Sequence, residues 1–346
     1  MRRSALLLAL GLAALPAPAG AETAGEPDLR PVVTRAVDGF VRPGYQRLAE
    51  TAKSHAAGWV EVCAAPDRAG VARLANSFRY VADAWARIEF LRYGPVVEDF
   101  RAERINFWPD KRNATTRGLA ELTAAGAPEP TAASVRAASA AVQGLPALER
   151  LLFDPGAAER LASATPEATR ACAAGRAIAA GLAATTEEVA AGWGSFASAA
   201  TADPAAARET AARLTTDLLA GFQTLIDGKL LPALGKTAEA ARPEALEGRR
   251  AGRVRASFAE PLAGQDELAK LLAGDGPQTA TLTTALATAR SVAEGLPDDF
   301  AESLGQPKRR SKAILLRDAL RAAQDVALSD LPTLVGVTVG FNSRDG

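Results

Sequence analysis

Apolar residues recur every three or four positions along almost the whole chain, and the runs are cut by proline and glycine rather than by polar alternation. That period draws one stripe down the face of a helix and does not fit a strand. Val33, Val37, Val41, Tyr45, Leu48, Ala52, His55, Trp59 and Val62 make one such stripe, on a long first helix bent near Pro43. Ala65-Pro66-Asp67 ends it, and Asp67 is a good N-cap for a second helix carrying Val71, Leu74, Phe78, Val81, Trp85, Ile88 and Leu91. Gly94-Pro95 stops that helix, because proline has no N–H to donate and disfavours helix in the residue before it. Phe100 to Asn113 reads as an irregular connector around Phe107-Trp108-Pro109-Asp110. Further helices are expected from Thr131 toward Phe153 with an interruption at Gly144 and Pro146, from Pro166 to about Trp193-Gly194, and from Pro204 to Leu231-Pro232. Three more are expected over 243–272, 277–295 and 311–330. The pattern predicts an all-α chain of two packed helical bundles, at 28–200 and 204–346. Phe90 to Pro95 and Leu230 to Gly235 share a loose cadence that hints at duplication, while no strict short repeat points to a solenoid.

The first residues have the form of a cleaved export signal over 1–21. Arg2 and Arg3 give a positive start, Ala5 to Leu15 an apolar stretch, and Ala19-Gly20-Ala21 a small-residue cleavage site. The apolar stretch is shorter than the about 20 residues needed to span a bilayer. Downstream, Arg, Glu and Asp interrupt every alanine-rich stretch, so no membrane span is expected in the mature chain, and the expected compartment is the periplasm. Forty basic residues balance forty acidic ones, which gives no electrostatic case for nucleic acid or for an anionic lipid surface. Cys63 and Cys172 are the only cysteines, and in an oxidising compartment such a pair reads first as a disulfide. The bridge would close a loop of about 110 residues, worth about 4–5 kcal/mol by chain entropy.

Several strings, in order along the chain, together resemble the imelysin-like family of iron-regulated envelope proteins and proteins classed as metallopeptidases. They are Trp85 to Glu89 running into Gly94-Pro95-Val96, Phe107 to Arg112, Val142 to Glu149 followed by Leu151-Leu152-Phe153, Arg170-Ala171-Cys172, and Asp330 to Pro332 continuing through Gly340-Phe341-Asn342 to Asp345-Gly346. The resemblance implies two helical bundles with a site between or beside them. The family's signature is Gly-x-His-x-x-Glu, in which a His and a Glu three apart share a helix face and hold one cation. Here the matching residues are Gly144, Pro146 and Glu149, so proline stands where the histidine is expected. Inside a helix that proline would force a bend, eased by Gly144, and leave a weakened site leaning on carboxylates.

Glu149 is thus the candidate metal carboxylate, with a structural ion pair as the other reading. Glu89 is a second candidate ligand, and Glu89 and Arg92, three apart on the second helix, form an expected same-face pair. His55, the single histidine, has no metal-binding spacing around it and reads as a core residue, as do Trp85, Trp108 and Trp193. Arg249, Arg250, Arg253 and Arg255 read as a solvated basic face, and Lys308-Arg309-Arg310-Lys312 as a loop. No nucleophile elbow, phosphate loop or dinucleotide fingerprint occurs. Three functions stay open at this point. The first is a metal-acquisition binding or accessory protein with iron or another divalent cation as cofactor and a membrane-transport partner. The second is a metallopeptidase, disfavoured by the lost histidine. The third is a module for a small envelope ligand without metal.

Overall fold

The computed structural model describes residues 27–110 and 112–338. The expected export signal, Lys111 and the closing string from Gly340 lie outside them. Among the described residues there are helices and connecting turns and no strands. α1 (Arg30–Ala36) runs through a π-helical segment, Val37–Val41, into α2 (Arg42–Ala64), and α3 (Arg68–Ile88) folds back along it. The predicted bend at Pro43 is therefore a widened turn. A proline near the start of α2 cannot donate, and the i→i+5 turn before it absorbs the mismatch. The same device recurs in the second half, where the π segment Thr224–Leu230 precedes Pro232. The two segments share a sequence frame, Asp38-Gly39 before Pro43 and Asp227-Gly228 before Pro232.

Short elements follow α3: α4 (Arg101–Ile105), α5 (Ala114–Leu122), α6 (Ala132–Ala137), α7 (Gly144–Phe153) and α8 (Ala157–Leu161). The connector expected at Phe100–Asn113 is partly helical in α4, then extended, with a cis peptide at Trp108-Pro109. Asp110 holds its far end, accepting from the backbone N–H groups of Ala114 at 2.8 Å and Thr115 at 2.9 Å. α9 (Pro166–Ala200) is the long helix of the first half and packs on α2, α6 and α7. Thr165 caps it and Pro166 opens it. It passes through Trp193-Gly194 rather than stopping there. Gly192 is small because Pro95 lies against it, where an added Cβ would sit 2.9 Å from that ring.

α10 (Pro204–Gln223), α11 (Leu231–Leu234), α12 (Val254–Ala273), α13 (Pro277–Glu294), α14 (Phe300–Ser303) and α15 (Ser311–Val335) make the second half. α12, α13 and α15 pack side by side, with α10 against α12 and α15. The helix expected from Pro243 starts at Val254 instead, because residues 243–253 form turns that carry part of the site described below. Asp67 and Asp203 cap α3 and α10 through the backbone N–H groups of Gly70 and Ala205. Helix packing joins the halves chiefly at two places. α3 packs along α12, where Arg87 pairs with Glu267 at 2.6 Å, and α1 packs on α10 and α12. Arg208 of α10 donates to the carbonyls of Pro27 and Gly336, both at 3.1 Å, so one guanidinium holds the two ends of the described chain. The apolar core runs without a break from Leu29 to Val335.

Cys63 and Cys172 are joined, with Cα atoms 5.6 Å apart, and tie the end of α2 to the start of α9. His55 is buried, as expected. Trp59 Nε1 donates to its Nε2 at 3.1 Å, and its Nδ1 lies 2.7 Å from Ser77 Oγ. Ser77 Oγ donates in turn to the Leu74 carbonyl at 2.8 Å, so the ring is a neutral link in a closed chain, with Nδ1 carrying the proton. Trp85 and Trp193 are core residues, and Trp193 stacks on Tyr45 with centroids 6.0 Å apart. Among the described residues, no helix is long and apolar enough to cross a membrane.

Candidate functional site

α7 begins at Gly144 because the backbone there takes φ of +63°, a conformation that favours glycine. The absent side chain also lets α4 approach: a Cβ on Gly144 would lie 2.1 Å from the Ile105 carbonyl oxygen. Pro146 is the third residue of α7, where a backbone N–H has no acceptor within the helix. The proline therefore begins a helix and deletes no hydrogen bond, which corrects the expected kink. Pro146 and Glu149, three apart, both face one cavity of about 50 Å³.

That cavity lies where the two halves meet. α3 contributes Asp83 and Trp85, the connector Asn106 and Trp108, α7 Pro146 and Glu149, and the segment before α12 Glu247 and Arg253. Each carboxylate on the wall already has a partner. Asp83 takes Arg253, with Nε at 3.0 Å from Oδ1 and Nη2 on the other oxygen. Glu149 Oε1 accepts from the Ala251 backbone N–H at 3.0 Å. Glu247 accepts from Asn106 Nδ2 at 2.7 Å and pairs with Lys229 Nζ at 2.6 Å.

Lys229 is the residue that sequence reasoning missed. It sits on the second π segment and is 1% exposed, and its ammonium reaches Glu89, Glu247 and, at 3.1 Å, the Ser257 carbonyl oxygen. Two hydrogen bonds and the ion pair with Glu247 surround the ammonium, so the buried charge is partnered. A signal was present in the sequence. Phe222, Leu225 and Ile226 set a stripe whose next step is position 229, and a lysine there must be buried or break the face. Burial works against the Lys229 ammonium, but Glu247 and Glu89 outweigh it and hold its pKa above the ordinary lysine value. Burial raises the Glu89 carboxyl, and the ammonium beside it works the other way. Burial also raises Glu149, against the Ala251 N–H and the nearby Arg250.

The expected Glu89–Arg92 pair does not form. α3 ends at Ile88, so Arg92 lies past the helix, with its backbone N–H on Asp217 and its guanidinium 5.6 Å over the Trp85 ring. Three of the four arginines read as a solvated face are engaged: Arg250 with Asp154 at 2.7 Å, Arg253 with Asp83, and Arg255 with Asp298.

The residues here do not fit a metal ion. Among the described residues, no three His, Cys, Asp or Glu side chains converge on one point. Glu89 and Glu247 share the lysine ammonium and not a cation with Glu149. Two residues of the cavity wall, Trp85 and Trp108, have buried indole N–H groups with no hydrogen-bond partner among the described residues.

The sequence profile of imelysin, peptidase family M75, matches residues 41–327. The chain belongs to the imelysin family. Solved structures agree on the fold of this imelysin-family chain. An imelysin-like protein from Psychrobacter arcticum 273-4 is 22% identical with a TM-score of 0.74, over 91% of this chain and 97% of that one. A protein described as an iron-regulated protein A precursor, from Parabacteroides distasonis ATCC 8503, is 14% identical with a TM-score of 0.69, over 92% and 98% of the two chains. No curated protein matches the chain.

Proposed function

We propose that this imelysin-family chain is an exported, periplasmic accessory protein of iron acquisition, whose cavity recognises a polar group of an envelope ligand instead of holding a metal ion. Family membership and the iron-regulated neighbour support the setting. The form of the first 21 residues supports export. One observation carries the ligand reading: Lys229 occupies Glu89 and Glu247 from inside, while the indole N–H groups of two wall residues, Trp85 and Trp108, lack acceptors. Buried donors without partners are costly, and each is worth about 1–3 kcal/mol to satisfy.

The cavity, at about 50 Å³, has room for a few waters or the end of a ligand, and not for a whole sugar ring. Three carboxylates on the wall disfavour an anion. The group that fits is neutral and rich in acceptors, such as a peptide amide or a glycan hydroxyl, entering from a longer chain. Peptide hydrolysis through a bound metal has no donor set to stand on at this place, and no step is derived for it.

Two measurements test the reading. Metal-stripped protein titrated calorimetrically with Fe²⁺, Fe³⁺, Zn²⁺, Mn²⁺ and Ca²⁺ is expected to give no micromolar binding. Tryptophan fluorescence titrated with muropeptides and envelope oligosaccharides is expected to respond saturably, with the response lost in Trp108→Phe, which keeps a ring and deletes the N–H. Micromolar metal binding that disappears in Glu149→Ala would end this proposal.

A further inference from the structure

A second cleft, of about 310 Å³, opens between α5, α7, α8 and the first turns of α9, and it is lined by three arginines from three helices. We propose that it binds a small polyvalent oxyanion, independently of the cavity at Glu149. Arg150 and Arg170 are held in place. Arg150 Nη2 donates to Asn113 Oδ1 at 3.0 Å, and Arg170 Nε donates to the Thr123 carbonyl at 3.0 Å. Each guanidinium has five N–H donors in a planar fork, so these contacts leave further donors in fixed directions. Arg160, on α8, has no ion-pair or hydrogen-bond partner for its guanidinium among the described residues.

The acids on the same wall do not cancel this charge. Asp154 lies 3.5 Å from Arg150 and is drawn more closely to Arg250, at 2.7 Å, from outside the cleft. Glu167 meets Arg170 at 3.3 Å, but its side chain is 63% exposed, so water screens it. Three guanidiniums face two carboxylates of which one is shared and one is solvated, and Arg160 is the cation left over. Planar forks match carboxylate and phosphate oxygens two at a time, and several such contacts favour a ligand with more than one anionic group. The volume suits a small organic polyacid or a pyrophosphate-sized ligand, and it exceeds what one chloride needs. Leu119 and Leu151, both buried, make an apolar part of the wall beside the arginines.

Calorimetry and thermal-shift titration of the full chain, with citrate as the carboxylate probe and pyrophosphate as the phosphate probe, tests this against sodium chloride at matched ionic strength. Saturable binding of at least one probe is expected. Arg160→Ala is expected to weaken it about tenfold or more, as for loss of a charge-assisted contact. Arg160→Lys is expected to recover only part of that loss, since a point charge replaces a fork. The unliganded melting temperature of Arg160→Ala should match the parent, because the side chain has no partner to lose. Trp108→Phe should leave this binding intact, which separates it from the cavity at Glu149. Citrate alone assigns a polycarboxylate, pyrophosphate alone a phosphate compound, and both a general polyanion site. No binding beyond the chloride control, or binding indifferent to both Arg160→Ala and Arg170→Ala, overturns the proposal.

Discussion

Acid should find this protein at a single imidazole. His55 is buried with both ring nitrogens engaged, and burial pushes its pKa from an ordinary 6.5 down to about 3. The sign follows from linkage. A base whose folded pKa is depressed adds stability that is full above the unfolded value and is lost as pH falls toward the folded one. With an unfolded pKa of about 6.5, the unfolded chain gains about 2 kcal/mol of protonation free energy at pH 5, and the folded chain gains none. Protonation of Nε2 would also turn the Trp59 N–H contact into two donors facing each other. Carboxylates titrate over the same range, so the measurement is a difference: urea unfolding of the parent and of His55→Gln at pH 7.5 and pH 5. The variant should be less stable at pH 7.5, and its deficit should shrink by about 2 kcal/mol at pH 5. The ring itself can be watched by NMR without assignment, since it is the one histidine. An imidazole that titrates near its ordinary value in the folded protein, or a deficit that does not change with pH, refutes the argument.

Lys229→Met leaves Glu89 and Glu247 buried without a cation and should cost about 3–5 kcal/mol in urea unfolding, and a loss under 1 kcal/mol would mean the pair is solvated. Glu149→Gln keeps an oxygen for the Ala251 N–H and removes a carboxyl that burial raises, so it should be neutral or stabilising at pH 8 and lose that advantage by pH 4; destabilisation that grows with pH contradicts it. Gly144→Ala combines a disfavoured φ with a clash against the Ile105 carbonyl and should cost about 2–4 kcal/mol, seen as a lower urea midpoint; an unchanged midpoint refutes the close approach. Cys63→Ser with Cys172→Ser should lower stability by about 2–5 kcal/mol, and no change in thermal midpoint would show the bridge to be idle.

Helical stripes, the cap at Asp67, the helix starts at Pro166 and Pro204, and the cysteine pair were legible because each depends on residues near in sequence or on simple counting. Gly194 misled, since a glycine within a helix, like the neighbouring Gly192 that admits Pro95, looks the same in sequence as one that ends it. Pro146 misled for a related reason. Sequence permits the left-handed turn at Gly144 without requiring it, and only that turn converts the proline from a breaker into a starter. Lys229 stands at a stripe position and was missed, because its partners Glu89, Glu247 and Ser257 come from the end of α3, the turns before α12 and α12 itself, and no local rule joins those segments.

The clasp at Arg208 and the seat of α1 on α10 and α12 bear on how the chain is assembled. A polypeptide that emerges from its N-terminus exposes Val33, Val37 and Phe40 long before the helices that cover them exist. Those side chains must wait, solvated or shielded by a chaperone, until α12 has been made. The N-terminal half expressed alone would keep that apolar strip uncovered, so truncation there invites aggregation. A cut between α9 and α10 with the old ends joined near Arg208 would instead let the strip and its cover arrive together.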